Sequence, residues 1–268
     1  MGDVSEKNLG SFFNGLAHHL SASREARQGL ASAKDIASFF DGLGYYVRVS
    51  REARQALASA VAESFSVFDY IKPDENCLSR IIADLLDPQG KHGQGSTFLA
   101  AFLKQLEDVG CELLSNWQAH LDEATVVNEA ATSFLSSAAR RIDIRIELPQ
   151  RFGIGIENKP WAGEQEAQLA DYSKDLERRY RGGFVLVFLC QRGRTPESIS
   201  DKEWSDLRQS GRFATLRYTG EFLNWLSECL MRAQADKVRH FIKDFMRYIQ
   251  SNLRGVEPME EEEENVQS

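Results

Sequence analysis

Apolar residues recur along the chain with two periods, three-to-four and two, and the switches between them mark out the elements. Leu78, Ile81, Ile82, Leu85 and Leu86 have the spacing of a buried helix face. They follow Asp74-Glu75-Asn76 within a helical stretch, 61–110, that breaks at Asp87-Pro88-Gln89-Gly90. The period then changes. Residues 125–129 are a short β-branched run, and Arg141–Leu148 sets Ile142, Ile144, Ile146 and Leu148 against Arg141, Asp143, Arg145 and Glu147. Alternation resumes at 153–157 after Pro149-Gln150, which predicts a hairpin. A polar helix is predicted over 164–180. The unbroken apolar run at 184–189 predicts a central strand covered on both faces. A short strand at 214–218 and two helices near 220–233 and 236–253 close the chain. The sum is an α/β fold, a sheet with helices on both faces.

Ahead of these elements lies a tandem duplication. Residues 11–33 (SFFNGLAHHLSASREARQGLASA) align with residues 38–60 (SFFDGLGYYVRVSREARQALASA) at an offset of 27, with 15 identities in 23. The Ala, Leu, Arg and Gln content favours helix, and Ser23 and Ser50 stand where N-caps belong. A free-standing array needs about three repeats. Residues 1–62 are therefore expected to form a helical appendage that packs on the body, on a second copy of the chain in a homo-oligomer, or on a protein partner.

Composition narrows the class. Hydrophobic residues make up 42% and charged residues 27% of the 268, which excludes disorder throughout. The longest apolar run, Phe184–Cys190, is seven residues where a membrane span needs about 20. No membrane association and a cytoplasmic location are expected. Cys77, Cys111, Cys190 and Cys229 lie at least 34 residues apart, so neither a zinc site nor a disulfide framework is expected. The net charge of -8 disfavours a nucleic-acid partner at first sight. Six of the acids, Glu257 and the five glutamates at 260–264, fall in residues 255–268 without a base, however, leaving the body nearly neutral. That segment reads as a disordered, solvated acidic tail.

Chemistry concentrates on the hairpin. Asp143 lies on its first strand, and Glu157 and Lys159, two apart and so on one face, end the second as Ile156-Glu157-Asn158-Lys159-Pro160. If the register opposes Asp143 and Glu157, two carboxylates and an ammonium converge, the equipment for phosphodiester hydrolysis with a hard divalent cation. The plain alternative is cross-strand ion pairing with Arg141, Arg145 or Lys159. Gln168 and Tyr172 follow as Gln-x-x-x-Tyr, sharing a helix face at i and i+4.

In order and element context these residues resemble the PD-(D/E)XK nuclease superfamily, over about residues 66–220. The resemblance implies a restriction-endonuclease-like αβββαβ core with a mixed sheet flanked by helices, here at 63–254 with the C-terminal helices. It maps metal binding onto Asp143 and Glu157 and the family lysine onto Lys159. Ile142 stands where the motif has proline. Glu75 matches the additional metal- or water-binding carboxylate of some branches, although it or Asp74 also suits a helix cap. Gln168 and Tyr172 match the motif of exonuclease-like branches and are expected to position substrate, with Arg141 and Arg145 beside them. The implied activity is Mg²⁺- or Mn²⁺-dependent hydrolysis of nucleic acid, DNA being the expected substrate, in a bacterial-defence or mobile-element setting. The rival reading is a catalytically inactive assembly protein on the same fold, recruiting a partner through the repeat. His92 and Trp161 stand nearby, each with a structural alternative: bonding to backbone for the histidine, packing on the next helix for the tryptophan.

Overall fold

The structure is a computed structural model that describes residues 11, 14–15, 33–62, 65–111, 118–132, 140–148, 152–161, 163–191 and 193–253. The acidic tail and most of the first repeat copy lie outside the described residues. The chain divides into two units, Met1–Phe65 and Ser66–Ser268. Within the first, the second repeat copy lies in one long helix, α1 (Ala33–Val61), on which Phe39, Phe40, Tyr45 and Tyr46 are exposed.

The second unit is built on a five-stranded sheet in sequence order. Strands β1 (Thr125–Ala131), β2 (Arg141–Leu148) and β3 (Phe152–Lys159) form an antiparallel meander. β4 (Phe184–Cys190) and β5 (Phe213–Arg217) then join in parallel. Parallel neighbours need crossovers. These are α5 (Gln168–Tyr180), between β3 and β4, and α6 (Asp201–Gln209), between β4 and β5. Helices α2 (Phe68–Ile71), α3 (Glu75–Leu86), α4 (Thr97–Asp108), α7 (Leu223–Arg232) and α8 (Asp236–Asn252) complete the unit. This is the mixed, helix-flanked architecture that the alternation predicts.

Two apolar layers hold the sheet. Ile144, Ile146, Ile154, Ile156, Val185 and Val187 share a core with α3, α4, α7 and α8 through Leu78, Ile82, Phe102, Trp225, Phe245 and others. On the opposite face Phe184, Leu186, Phe188 and Phe213 pack against Leu169, Tyr172, Leu176 and Tyr180 of α5 and Leu207 of α6. Every residue of β4 is buried, as a continuous apolar run requires.

Glycines set how closely α5 approaches. A Cβ on Gly153 would lie 2.1 Å from Tyr180 Cε2, and one on Gly155 would lie 2.9 Å from Leu176 Cδ1. Tyr180, Leu176, Tyr172 and Gln168 recur every four residues on one helix face. Two bare backbone positions on β3 therefore lay that face against the strand that carries Glu157.

The helix predicted at 164–180 begins only at Gln168, after Ala167 in the left-handed region (φ 57°). Glu164 explains the late start. Its carboxylate, almost fully buried, accepts the Glu197 and Ser198 N–H groups, both at 3.0 Å, and the Ser198 hydroxyl. Ser198 in turn accepts Leu169 N–H at Oγ (3.1 Å) and Ala170 N–H at its carbonyl (3.2 Å). The first turn of α5 is capped from the loop after β4, not from its own preceding residue. Helix α6 and the short 3-10 helix Gln118–Glu123 were not predicted: both are polar, without an apolar period to read. None of the four cysteines forms a disulfide, and three of them are buried.

Candidate active site

The ladder between β2 and β3 runs from Leu148↔Phe152 to Ile144↔Ile156. The ladder ends there, one residue short of Asp143 and Glu157. The Asn158 N–H there goes to Asp143 Oδ2 (2.7 Å). That side-chain bond, beyond the end of the ladder, holds Asp143 close enough to Glu157 for the two charges to interact.

Glu157 is fully buried. Its Oε1 accepts from Lys159 Nζ and from Gln168 Nε2, both at 2.7 Å. Gln168 also lies 3.0 Å from the Tyr172 hydroxyl, which donates to the Arg141 carbonyl. The i and i+4 positions of α5 therefore form a chain of hydrogen bonds that fixes Glu157. Lys159 spans the gap to the other layer, with Nζ 2.8 Å from Glu75 Oε1. Asp74 is the residue that caps α3, its Oδ1 accepting Cys77 N–H at 2.7 Å, which leaves the Glu75 carboxylate to the lysine.

Asn158, between the two chemical residues, is the member that sequence reasoning missed. Its side chain points to the opposite face of β3. There Nδ2 donates to Ser79 Oγ (2.9 Å) and the Glu75 carbonyl (3.4 Å), and Oδ1 accepts from the Tyr218 hydroxyl (2.6 Å). With its N–H on Asp143, one buried residue ties together β2, α3 and the end of β5. A polar residue in a strand otherwise buried along its whole length was the available signal.

Burial dominates the electrostatics. It pushes the Glu157 carboxyl up to about 8, with the Asp143 charge adding to the effect and Lys159 opposing it. It raises Asp143 too, against the pull of the Asn158 N–H and of Lys159. Burial alone would lower Lys159, but Glu157, Glu75 and Asp143 outweigh it and hold the ammonium charged. Glu157 therefore keeps its proton to higher pH than an ordinary carboxyl does.

Other expected residues sit elsewhere. Arg145 is buried against Glu147 at 2.8 Å, and Arg141 faces Glu129 at 3.6 Å, its carbonyl but not its guanidinium joining the network. His92 bonds to backbone, Nε2 with the Asp87 carbonyl (2.9 Å) and Nδ1 with Gln94 N–H (3.0 Å). Trp161 is half exposed, not packed away under α5. Among the described residues no group of three His, Cys, Asp or Glu side chains is arranged to hold a metal. The expected Glu75–Asp143–Glu157 trio is thus a facing pair plus a third carboxylate engaged by Lys159.

The profile of the PD-(D/E)XK nuclease superfamily matches residues 65–254, most of the chain and all of the sheet. The chain belongs to that superfamily. Comparisons with curated proteins and with solved structures give no match. Members of the superfamily typically use divalent metals. The residues of this PD-(D/E)XK chain fit such an ion in one respect that geometry carries: Glu157 Oε2 is buried and, among the described residues, has no hydrogen-bond partner. An orphaned carboxylate oxygen facing a second carboxylate is the hard, anionic donor set that Mg²⁺ or Mn²⁺ prefers.

Proposed function

We propose that this chain hydrolyses phosphodiester bonds of nucleic acid, with DNA as the substrate and Mg²⁺ or Mn²⁺ as the cofactor. The observation that carries the reading is the half-buried Asp143 beside the fully buried Glu157, one of whose oxygens has no hydrogen-bond partner among the described residues, next to the charged Lys159. Asp143 and Glu157 would hold the cation, which supplies Lewis-acid polarisation of the phosphate and a more acidic water. Gln168 keeps Glu157 Oε1 in place, so that the other oxygen faces the site, and Tyr172 anchors Gln168. Lys159 contributes a positive charge, fixed by two carboxylates, to stabilise the anionic phosphate and orient the attacking water. Glu75 sets the position of that ammonium. A cation held there would take the place of the proton that Glu157 otherwise keeps, which would tie metal loading to pH.

The test is cleavage of labelled single- and double-stranded DNA and RNA by the full chain with Mg²⁺, Mn²⁺ or EDTA. Metal-dependent cleavage that falls at least a hundredfold in Asp143→Ala and Lys159→Ala is expected. Equal rates in those variants and the wild type would overturn the assignment. No cleavage of any substrate, with no Mn²⁺ binding by calorimetry, would favour the assembly reading.

A further inference from the structure

The walls of a cavity at the outer edge of the sheet reverse the acidic character of the chain. It has a volume of about 430 Å³ and is lined by Arg194 from the loop after β4, Arg208 and Trp204 of α6, Arg217 at the end of β5, and the hydroxyls of Thr195 and Thr215. No Asp or Glu lines it among the described residues. Arg194 and Arg217 are steadied from outside the walls by Glu164 (3.8 Å) and Glu221 (2.6 Å). Arg208 is different. Its guanidinium lies 5.1 Å over the Trp204 ring, its side chain is exposed, and no carboxylate among the described residues is within ion-pair distance. The Trp204 indole N–H, itself buried behind the wall, has no acceptor among the described residues. Three arginines and, among the described residues, no carboxylate line it, so the complementary ligand is an anion.

Strand register places this cavity relative to the proposed site. Glu157, Phe188 and Thr215 are successive partners across β3, β4 and β5, and so are Lys159, Cys190 and Arg217. These six positions share the face that carries α5 and α6, by the period of two. Strands lie about 4.8 Å apart, so the backbones of Lys159 and Arg217 are roughly 10 Å apart at the same end of the sheet. At about 3.4 Å per stacked nucleotide, that is about three nucleotides of one strand. The cavity has the scale of a nucleotide, whereas a duplex, whose major groove alone is about 12 Å wide, cannot enter it. A guanidinium laid on an indole is also a surface on which a base can stack.

We infer that this cavity binds one nucleotide of a single strand, a few nucleotides from the bond addressed by Glu157 and Lys159. Arg208 takes the phosphate, Arg217 and Arg194 supply the positive field, and the Trp204–Arg208 stack receives the base. Its relation to the scissile bond rests on the nuclease reading above; its affinity for a single strand does not. Binding is therefore measured apart from cleavage, by fluorescence anisotropy of a labelled 12-nucleotide oligo-dT, its RNA counterpart and a 12-base-pair duplex, with EDTA present. The proteins are the full-length wild type, Arg208→Ala, Arg208→Lys and Trp204→Phe. Arg208 is exposed on α6, so its removal leaves folding intact, which circular dichroism checks. Single-strand binding at least tenfold tighter than duplex binding is expected. Arg208→Ala should weaken it about tenfold, and the slope of log affinity against log salt should fall by about one. Arg208→Lys should recover part of the loss. Comparable losses on DNA and RNA would assign the site to the shared phosphate backbone; a loss on one alone would assign it to that polymer. Unchanged affinity in Arg208→Ala, equal binding of duplex, or displacement of the oligonucleotide by poly-glutamate at equal charge would overturn the inference. Cleavage by wild type that is lost in Lys159→Ala, with Arg208→Ala binding normally, would refute the cavity and keep the nuclease. The reverse pattern would refute the nuclease and keep the cavity.

Discussion

Replacing Asn158 by alanine should weaken the whole second unit, because the side chain ties β3 to α3 and to Tyr218 just after β5, while its N–H bond to Asp143 is kept. The substitution leaves the fully buried Tyr218 hydroxyl without its 2.6 Å acceptor and the buried Ser79 Oγ without its 2.9 Å donor, and it drops the longer bond to the Glu75 carbonyl. Each buried polar group left unsatisfied costs about 1–3 kcal/mol. Part of that is recovered where Ser79 rotates to a helix carbonyl, so a net loss of about 2–5 kcal/mol is expected. A domain typically has about 5–15 kcal/mol in total. With a urea dependence of about 1–3 kcal/mol per molar, the unfolding midpoint should fall by roughly 1–2 M while the slope is unchanged. Tyr218→Phe, which strands only Asn158 Oδ1, should cost about 1–2 kcal/mol. The double variant should cost less than the two singles together, by at least about 0.5 kcal/mol, since both singles break one shared bond. A loss below about 1 kcal/mol in Asn158→Ala, or strict additivity with Tyr218→Phe, would refute the clamp.

Gly153→Ala puts a methyl into the Tyr180 ring and should cost about 1–3 kcal/mol by displacing α5; an unchanged melting temperature would contradict the close approach on β3. Glu164→Ala removes the acceptor of two backbone N–H groups and a hydroxyl, and should cost about 3 kcal/mol and raise amide exchange in the first turn of α5. Unaltered exchange at Leu169 and Ala170 would count against the remote cap. Glu157 titrates above its ordinary range, so its neutral form favours the metal-free fold: the contribution is complete below about pH 4.5 and is lost as pH rises through about 8. Between those limits the metal-free wild type should lose up to about 1.4 kcal/mol per pH unit relative to Glu157→Gln, measured by urea unfolding in EDTA; a pH-independent difference would exclude the raised carboxyl.

The sheet was legible because its strands announce themselves. Phe184–Cys190 is uniformly apolar because both its faces are covered, and Ile144, Ile146 and Leu148 alternate toward one core, whereas Ile142, expected with them, lies in the opposite layer with the residues of α5. The spacing of Asp143, Glu157, Lys159, Gln168 and Tyr172 was legible too, since strand and helix periods put them on one face. Their mutual bonds depend on the register at Ile144↔Ile156 and on the glycines that admit α5, which no local pattern declares. Arg145 was misleading for the same reason: it shares the face of Asp143, but Glu147, two residues on, captures it. Glu164, Ser198 and Asn158 went unread because each acts on a partner more than 30 residues away. Long-range polar contacts leave no periodicity in the sequence.

The central claim is that Asp143 and Glu157 form a cation site beside Lys159. Anomalous diffraction from crystals soaked in Mn²⁺ tests it most directly. One strong peak is expected within about 2.0–2.6 Å of carboxylate oxygens of both Asp143 and Glu157, with Glu75 still paired to Lys159. Crystals that take up Mn²⁺ only elsewhere, with Glu157 Oε2 still unliganded, would contradict it.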